Sequence, residues 1–182
     1  MSTATLLTAE EYRLLPDSGQ PTELVRGEIV TMNVPAPRHG EICAQIVYLL
    51  RSFLEHNALG RVVSNDSGVV TERDPETVRG ADVSFYSYAR VPRGPLPQGY
   101  LEVRPELVFE VRSSGDRMRA ILGKVSEYLD AGVTWVCVLD PQTETAQLFH
   151  DELPSPTLRA DEEFTLPEVL GDFRVVVRRF FE

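Results

Sequence analysis

Two acids interrupt apolar stretches of this chain. Asp82 stands in Ala81-Asp82-Val83-Ser84-Phe85, and Glu110 in Leu107-Val108-Phe109-Glu110-Val111. A carboxylate in the middle of a buried strand costs several kcal/mol unless it is paired or binds a metal. Period-two alternation puts Val108, Glu110 and Arg112 on one face and Leu107, Phe109 and Val111 on the other. Taken alone, Glu110 reads equally as a structural ion pair with an arginine or as a functional group. Lys124 adds to the case. Of the 18 basic residues, 17 are Arg and only Lys124 is Lys. A coding bias toward Arg explains the ratio, yet one lysine was kept. Glu110 lies ~10 Å down its strand from the turn that follows, and Lys124 ~12 Å down the returning helix. A helix packed antiparallel on that strand brings the two level. Arg117, Ile121, Lys124 and Tyr128 share a helical stripe, so Lys124 turns inward with Ile121 and Tyr128; the alternative is a snorkelling surface lysine. Two carboxylates and a lysine suit phosphodiester hydrolysis. The acids would hold Mg²⁺ or Mn²⁺, hard ions that take oxygen ligands. The metal would polarise the phosphate and acidify a water, and the lysine would orient that water or neutralise charge on the phosphate. Arg would serve poorly, being wide, planar and permanently charged.

The elements that must position these residues are legible in outline. Thr8-Ala9-Glu10-Glu11 is a capping box opening a helix to about Leu15, ended by Pro16 to Gly19. Glu23–Val30 reads as a hairpin turning near Arg26-Gly27. Ile42, Ile46, Leu49, Leu50 and Phe53 give a long helix from about His39 to His56. Two short strands follow, near Arg61–Ser64 and Gly68–Glu72, joined through Asn65-Asp66. Arg73–Gly80 reads as a polar loop, Ala81–Tyr86 as a strand and Val91–Tyr100 as an exposed loop. Glu106–Arg112 is a strong strand. Ser113-Ser114-Gly115-Asp116 opens a helix to Asp130, with Asp116 as its cap, and Gly132 stops it. Thr134–Leu139 is a buried strand, paired with Ala146–His150. Val175–Val177 is the clearest strand of the C-terminal part. The strand–helix–strand run from 106 to 139 is one βαβ crossover, so part of the sheet is parallel. The class is α+β, or mixed α/β, with one sheet layer flanked by helices in a single domain spanning residues 1–182.

Composition bounds the partners. Net charge is −10, which argues against wholesale coating of nucleic acid and against acidic membrane surfaces, but not against one local DNA grip. The longest apolar runs are far short of the ~20 residues a membrane-spanning helix needs. Met1–Leu7 lacks a secretory pattern, so the expected location is cytoplasmic. Cys43 and Cys137 sit in apolar stretches with no zinc-type spacing and read as two buried free thiols.

The ordered set of motifs resembles the Uma-type restriction endonuclease family of the PD-(D/E)XK nuclease superfamily over nearly the whole chain. Its pieces are Thr8-Ala9-Glu10-Glu11-Tyr12, Glu23-Leu24-Val25-Arg26-Gly27-Glu28, Arg38-His39-Gly40 and Val78-Arg79-Gly80-Ala81-Asp82-Val83. The central block is Pro105-Glu106-Leu107-Val108-Phe109-Glu110-Val111. Lys124, Glu127-Tyr128, Gly132-Val133, Trp135-Val136 and Asp140-Pro141 follow. The resemblance implies a restriction-endonuclease-like fold, a homodimer and DNA as substrate. It implies Asp82 and Glu110 as metal ligands, with the Val111 carbonyl as another. The superfamily lysine usually stands two residues after the acid, where this chain has Arg112; in this family a lysine of the following helix takes that role, which matches Lys124. One departure adjoins the site: the family's Leu-Ser-Pro-Ser-Asp reads here Arg112-Ser113-Ser114-Gly115-Asp116, so the proline is lost and an arginine enters next to the site.

Lesser candidates surround this set. His39 could contact phosphate or assist a metal, or merely open its helix. Glu41 could be a further acid, and Arg112 an accessory cation. Arg112, Arg117, Arg119 and Lys124 stand against Asp116 alone, a patch suited either to phosphate contact or to an ordinary solvated face. Glu23 and Glu28 flank a turn and read as structural. The reading is an Mg²⁺-dependent DNA endonuclease. Its rival is a nuclease fold that no longer cleaves and serves as a binding or interaction module, which the net charge favours.

Overall fold

The computed structural model describes residues 6–16, 18–113 and 115–182. The expectation about Met1–Leu7 rests mainly on residues outside that set, as do those that touch Asp17 and Ser114. In chain order the elements are α1 (Ala9–Arg13), β1 (Thr22–Val25), β2 (Glu28–Thr31), α2 (Pro37–Leu54), β3 (Gly60–Arg73), β4 (Glu76–Ser87), β5 (Leu107–Val111), α3 (Met118–Asp130), β6 (Trp135–Asp140), β7 (Thr145–Phe149), β8 (Thr157–Leu158), β9 (Glu163–Thr165), α4 (Pro167–Leu170) and β10 (Arg174–Val176), with a 3₁₀ turn at Val177–Phe181.

One mixed sheet runs in the order β2-β1-β4-β5-β6-β7-β8, and β3 pairs with β4. β5 and β6 are parallel, in the register Phe109↔Cys137 and Glu110↔Val138, because α3 carries the chain back between them. The other pairs of this sheet are antiparallel. The β1–β2 hairpin turns on Arg26 and Gly27, both with positive φ, the backbone that a two-residue hairpin needs. The Thr8–Glu11 capping box is formed in both directions. Among the described residues, no helix is long and apolar enough to cross a membrane.

The two faces of the sheet are filled differently. On one, Ile42, Ile46 and Leu50 of α2 pack with Val83, Phe85, Leu107, Phe109 and Val111, and with Phe164, Leu170, Phe173 and Phe180 from the C-terminal segment. On the other, Ile121, Val125 and Tyr128 of α3 pack over Val108, Val136 and Val138. α3 ends in a Schellman closure: the Gly132 amide bonds the Leu129 carbonyl at 2.9 Å and the Val133 amide the Tyr128 carbonyl at 3.0 Å, with Gly132 at φ +97°.

Three expectations are corrected. The two short strands before and after Asn65-Asp66 are one strand, β3, with a register shift between Ser64 and Ser67. Asn65 and Asp66 adopt left-handed backbone and bulge the strand rather than end it. The polar loop at Arg73–Gly80 shrinks to the turn at Asp74-Pro75, because Glu76–Gly80 continues the ladder with β3. Asp116 is not the cap of α3: the capping position is Arg117, which makes no side-chain bond. The Asp116 carboxylate instead accepts the Ser113 amide at 2.7 Å.

Candidate active site

A break in strand pairing makes the site. Along one edge, β4 pairs with β1 only at Leu24↔Val78 and with β5 only at Val83↔Phe109, Ser84↔Val108 and Phe85↔Leu107. Between these contacts, Arg79 to Asp82 face a gap between β1 and β5. Side chains fill the hydrogen bonds that a neighbouring strand would make. The Glu23 carboxylate accepts the Gly80 amide at 3.0 Å. The Gly80 carbonyl accepts Lys124 Nζ at 3.3 Å. The Asp82 carboxylate accepts the Val111 amide at 2.6 Å. The last β4–β5 pair, Val83↔Phe109, makes Asp82 and Glu110 the next positions in register.

Glu110 turns toward α3, as strand alternation requires. Its carboxylate accepts Lys124 Nζ at 3.1 Å and the Tyr128 hydroxyl at 2.9 Å. Lys124 also lies 3.1 Å from Glu23, whose side chain is 4% exposed. Arg79 closes the network, with Nη1 donating to Glu23 at 2.8 Å and a two-pronged contact to Glu127 at 2.6 and 2.7 Å. Burial raises the Glu110 pKa; Lys124 opposes that shift and the charge of Asp82 adds to it, leaving the carboxyl at about 7. Burial works against the Lys124 charge, but Glu110, Glu23 and Asp82 outweigh it and hold the ammonium above its ordinary range.

On the α2 side, His39 Nε2 sits 3.2 Å from Asp82 Oδ2. Its other ring nitrogen is 3.6 Å from Cys43 Sγ. Bonding to Asp82, then to Cys43, raises the His39 pKa to about 10 against the opposing effect of burial. Asp66 completes this corner. Its carboxyl lies within hydrogen-bonding reach of Asp82; partial burial, and then the neighbouring Asp82 charge, raise its pKa. Gly80 permits the approach, since a side chain there would meet Asp66 at 3.1 Å.

These groups line an open cleft of about 930 Å³ that runs from the loop after β2 to the N-terminal half of α3. Asp82, Glu110, Val111, Lys124, His39 and Arg112 all border it. The Arg112 guanidinium is tied to Asp140, which leaves Lys124 as the cation on Glu110. Glu41 does not join the cleft: it pairs with Arg38 at 2.7 Å on the exposed side of α2. Two residues past His39 is about half a helical turn, which carries Glu41 around to solvent. Arg117 and Arg119 are exposed at the start of α3. Cys43 is only partly buried, unlike Cys137. Asp66 is the acid that sequence reasoning passed over, and Glu23, read from the sequence as structural, bonds the Gly80 amide, Arg79 and Lys124 at the site. Asn65-Asp66 carries the signature of a turn, which masks an acid that lines the cleft. Glu23 left one usable signal, an acid beside Leu24 and Val25 in a short apolar strand.

Comparison with known proteins adds the following. Residues 9–178 match the family described as "Uma2: Putative restriction endonuclease". No curated protein matches the chain. A crystal structure described as "a putative nuclease belonging to DUF820 from Anabaena variabilis ATCC 29413" superposes with a TM-score of 0.82, covering 96% of this chain and 97% of that one at 18% identity. That likeness establishes a shared fold.

Proposed function

This chain belongs to the Uma2 family, and from that premise we propose that it is a divalent-metal-dependent endonuclease that hydrolyses phosphodiester bonds in DNA. The observation that carries the reading is the pairing of the chain's one lysine with a buried carboxylate, Lys124 to Glu110 at 3.1 Å, in a cleft shared with Asp82.

The donor set fits a hard cation. Asp82 and Glu110 each use some lone pairs on protein donors, but a carboxylate offers about four. Burial first, and then the neighbouring charge of Asp82, raises the pKa of Glu110 and Asp66; a bound cation would offset both by favouring the ionised carboxylates. Asp82 and Glu110 would hold Mg²⁺ or Mn²⁺, with the Val111 carbonyl and Asp66 at the margin. When bound, the ion would polarise the scissile phosphate and make a nearby water more acidic.

The chain's own groups have separate tasks. The Val111 amide and His39 hold Asp82 in one orientation. Tyr128 and Lys124 do the same for Glu110. Lys124, kept protonated by its acidic neighbours, acts as a charged donor. It neutralises charge that builds on a phosphate oxygen rather than removing a proton from water. Arg117 and Arg119, exposed beside the cleft, are the candidates for contact with flanking phosphates. The same reading has the chain act as a homodimer in the cytoplasm.

The test is an assay of linear, supercoiled and single-stranded DNA with Mg²⁺ or Mn²⁺, beside a Glu110→Ala control. Cleavage in the wild type and its loss in the variant support the reading. Metal-independent DNA binding with no cleavage of any form would favour a lapsed nuclease acting as a binding module.

A further inference from the structure

The α2 side of Asp82 holds a second donor set, of different chemistry. His39 and Cys43 are four residues apart on α2, so their side chains stack on one face. One ligand atom each from His39, Cys43 and Asp82 lie within 4.8 Å of one another. His39 Nε2 is 3.2 Å from Asp82 Oδ2. A tetrahedral zinc ion, with Zn–S of ~2.3 Å and Zn–N or Zn–O of ~2.0–2.1 Å, sets its ligand atoms roughly 3.3–3.6 Å apart. Nε2 of His39 faces Asp82 while its Nδ1 lies 3.6 Å from Cys43 Sγ, so closing the set around one ion takes a turn of the His39 ring and a rotation of the Cys43 side chain toward Asp82. Imidazole plus thiolate is a poor match for Mg²⁺ and a good one for Zn²⁺. The set is also reachable, since His39 borders the cleft and Cys43 is not fully buried. Cys137 has no such role: it is fully buried in the apolar core.

We propose that His39, Cys43 and Asp82 form a separate site for a thiophilic divalent ion of the zinc class, and that filling it withdraws Asp82 from the oxygen-ligand set it shares with Glu110. The first part stands on this geometry alone; the second rests on the nuclease reading. Binding forms Zn–S, Zn–N and Zn–O bonds and releases two protons to solvent, one from the thiol and one from His39 Nε2. No electrons are transferred. The consequence is an enzyme supported by Mg²⁺ or Mn²⁺ and switched off by Zn²⁺.

Cobalt(II) is the spectroscopic probe, added to the reduced full-length protein. The wild type should develop a thiolate-to-cobalt charge-transfer band, and Zn²⁺ should abolish it by displacement. Cys43→Ser should show no band. His39→Gln should bind Co²⁺ more weakly, on the order of tenfold or more. Glu110→Gln should keep the band, because Glu110 is not a ligand of this site. Mn²⁺ binding, followed by electron paramagnetic resonance, should be lost from the wild type at saturating Zn²⁺ and retained by Cys43→Ser. The absence of a band in the wild type, or its persistence in Cys43→Ser, overturns the site. Undiminished Mn²⁺ binding at saturating Zn²⁺ overturns the sharing of Asp82. A cobalt band in a protein that binds no Mn²⁺ even without Zn²⁺ upholds the site and sinks the nuclease reading instead.

Discussion

Phe109 and Glu110 are neighbours in one strand and live in opposite environments. Phe109 is fully buried and packs against Phe164 and Phe180 at ring separations of 5.8 Å. Glu110 faces α3 and a chain of charges that runs through Lys124, Glu23 and Arg79 to Glu127. The face toward α2 is where folding free energy is gained, since aromatic and aliphatic burial dominates it. The face toward α3 becomes polar where β1 and β5 part, and there the fold holds charges that desolvation disfavours. The difference teaches that the site is sustained by its apolar opposite side rather than by its own ion pairs.

The largest effect should come from Lys124. Lys124→Met and Lys124→Arg should each lose roughly 10²–10⁴-fold in cleavage, the range for a positioned acid–base or charged group. Single-turnover assays on DNA would measure it. Full activity in Lys124→Arg would reduce the residue to charge balance and erase its distinction from an ordinary ion pair.

Next in size, Phe109→Ala should cost about 3–5 kcal/mol in urea unfolding, with cleavage per folded molecule unchanged. A loss of specific activity as large as that in the Lys124 variants would show that the two faces are not separable.

Metal binding should have a smaller effect on stability. Mg²⁺ or Mn²⁺ at a hundred times its dissociation constant would add about 2.7 kcal/mol to the folded state, read as a rise in melting temperature. Glu110→Ala should remove that rise, and Phe109→Ala should keep it. An equal rise in Glu110→Ala would mean that the ion binds elsewhere.

The smallest effect is a pH dependence. Folded Glu110 has a pKa of about 7, against an ordinary value of 4.5. Between those values the folded state binds a proton that the unfolded state has released. Stability conferred in acid is therefore lost as pH rises through this window. Without metal, Glu110→Gln should flatten the stability–pH curve between about pH 4.5 and 7. An unchanged slope would mean that Glu110 is ionised throughout and that burial does not govern it.

Local periodicity made much of this molecule readable from its residues. The helix at residues 37–54 shows in the spacing of Ile42, Ile46 and Leu50, and the β5–α3–β6 crossover in two apolar strands around an amphipathic helix. The Lys124–Glu110 contact followed from helix rise, strand rise and one antiparallel packing. Reading failed where chemistry of one kind served another purpose. Asn65-Asp66 has turn residues in a continuous strand, and Arg73–Gly80 has polar residues inside a ladder.

Sequence alone therefore singled out Asp82, Glu110 and Lys124 as candidates, together with the face of its strand that Glu110 takes and how far along its helix Lys124 lies. Those are properties of one segment, governed by repeats of 2 and 3.6 residues. The tertiary structure decided the rest. The gap between β1 and β5 opens because two strands distant in sequence meet the same edge of β4 at different heights. The bulge in β3 turns Asp66 toward Asp82. The start of α2 brings His39 and Cys43 to the far side of the same carboxylate. Register between distant strands depends on how whole faces pack, and no local repeat encodes it.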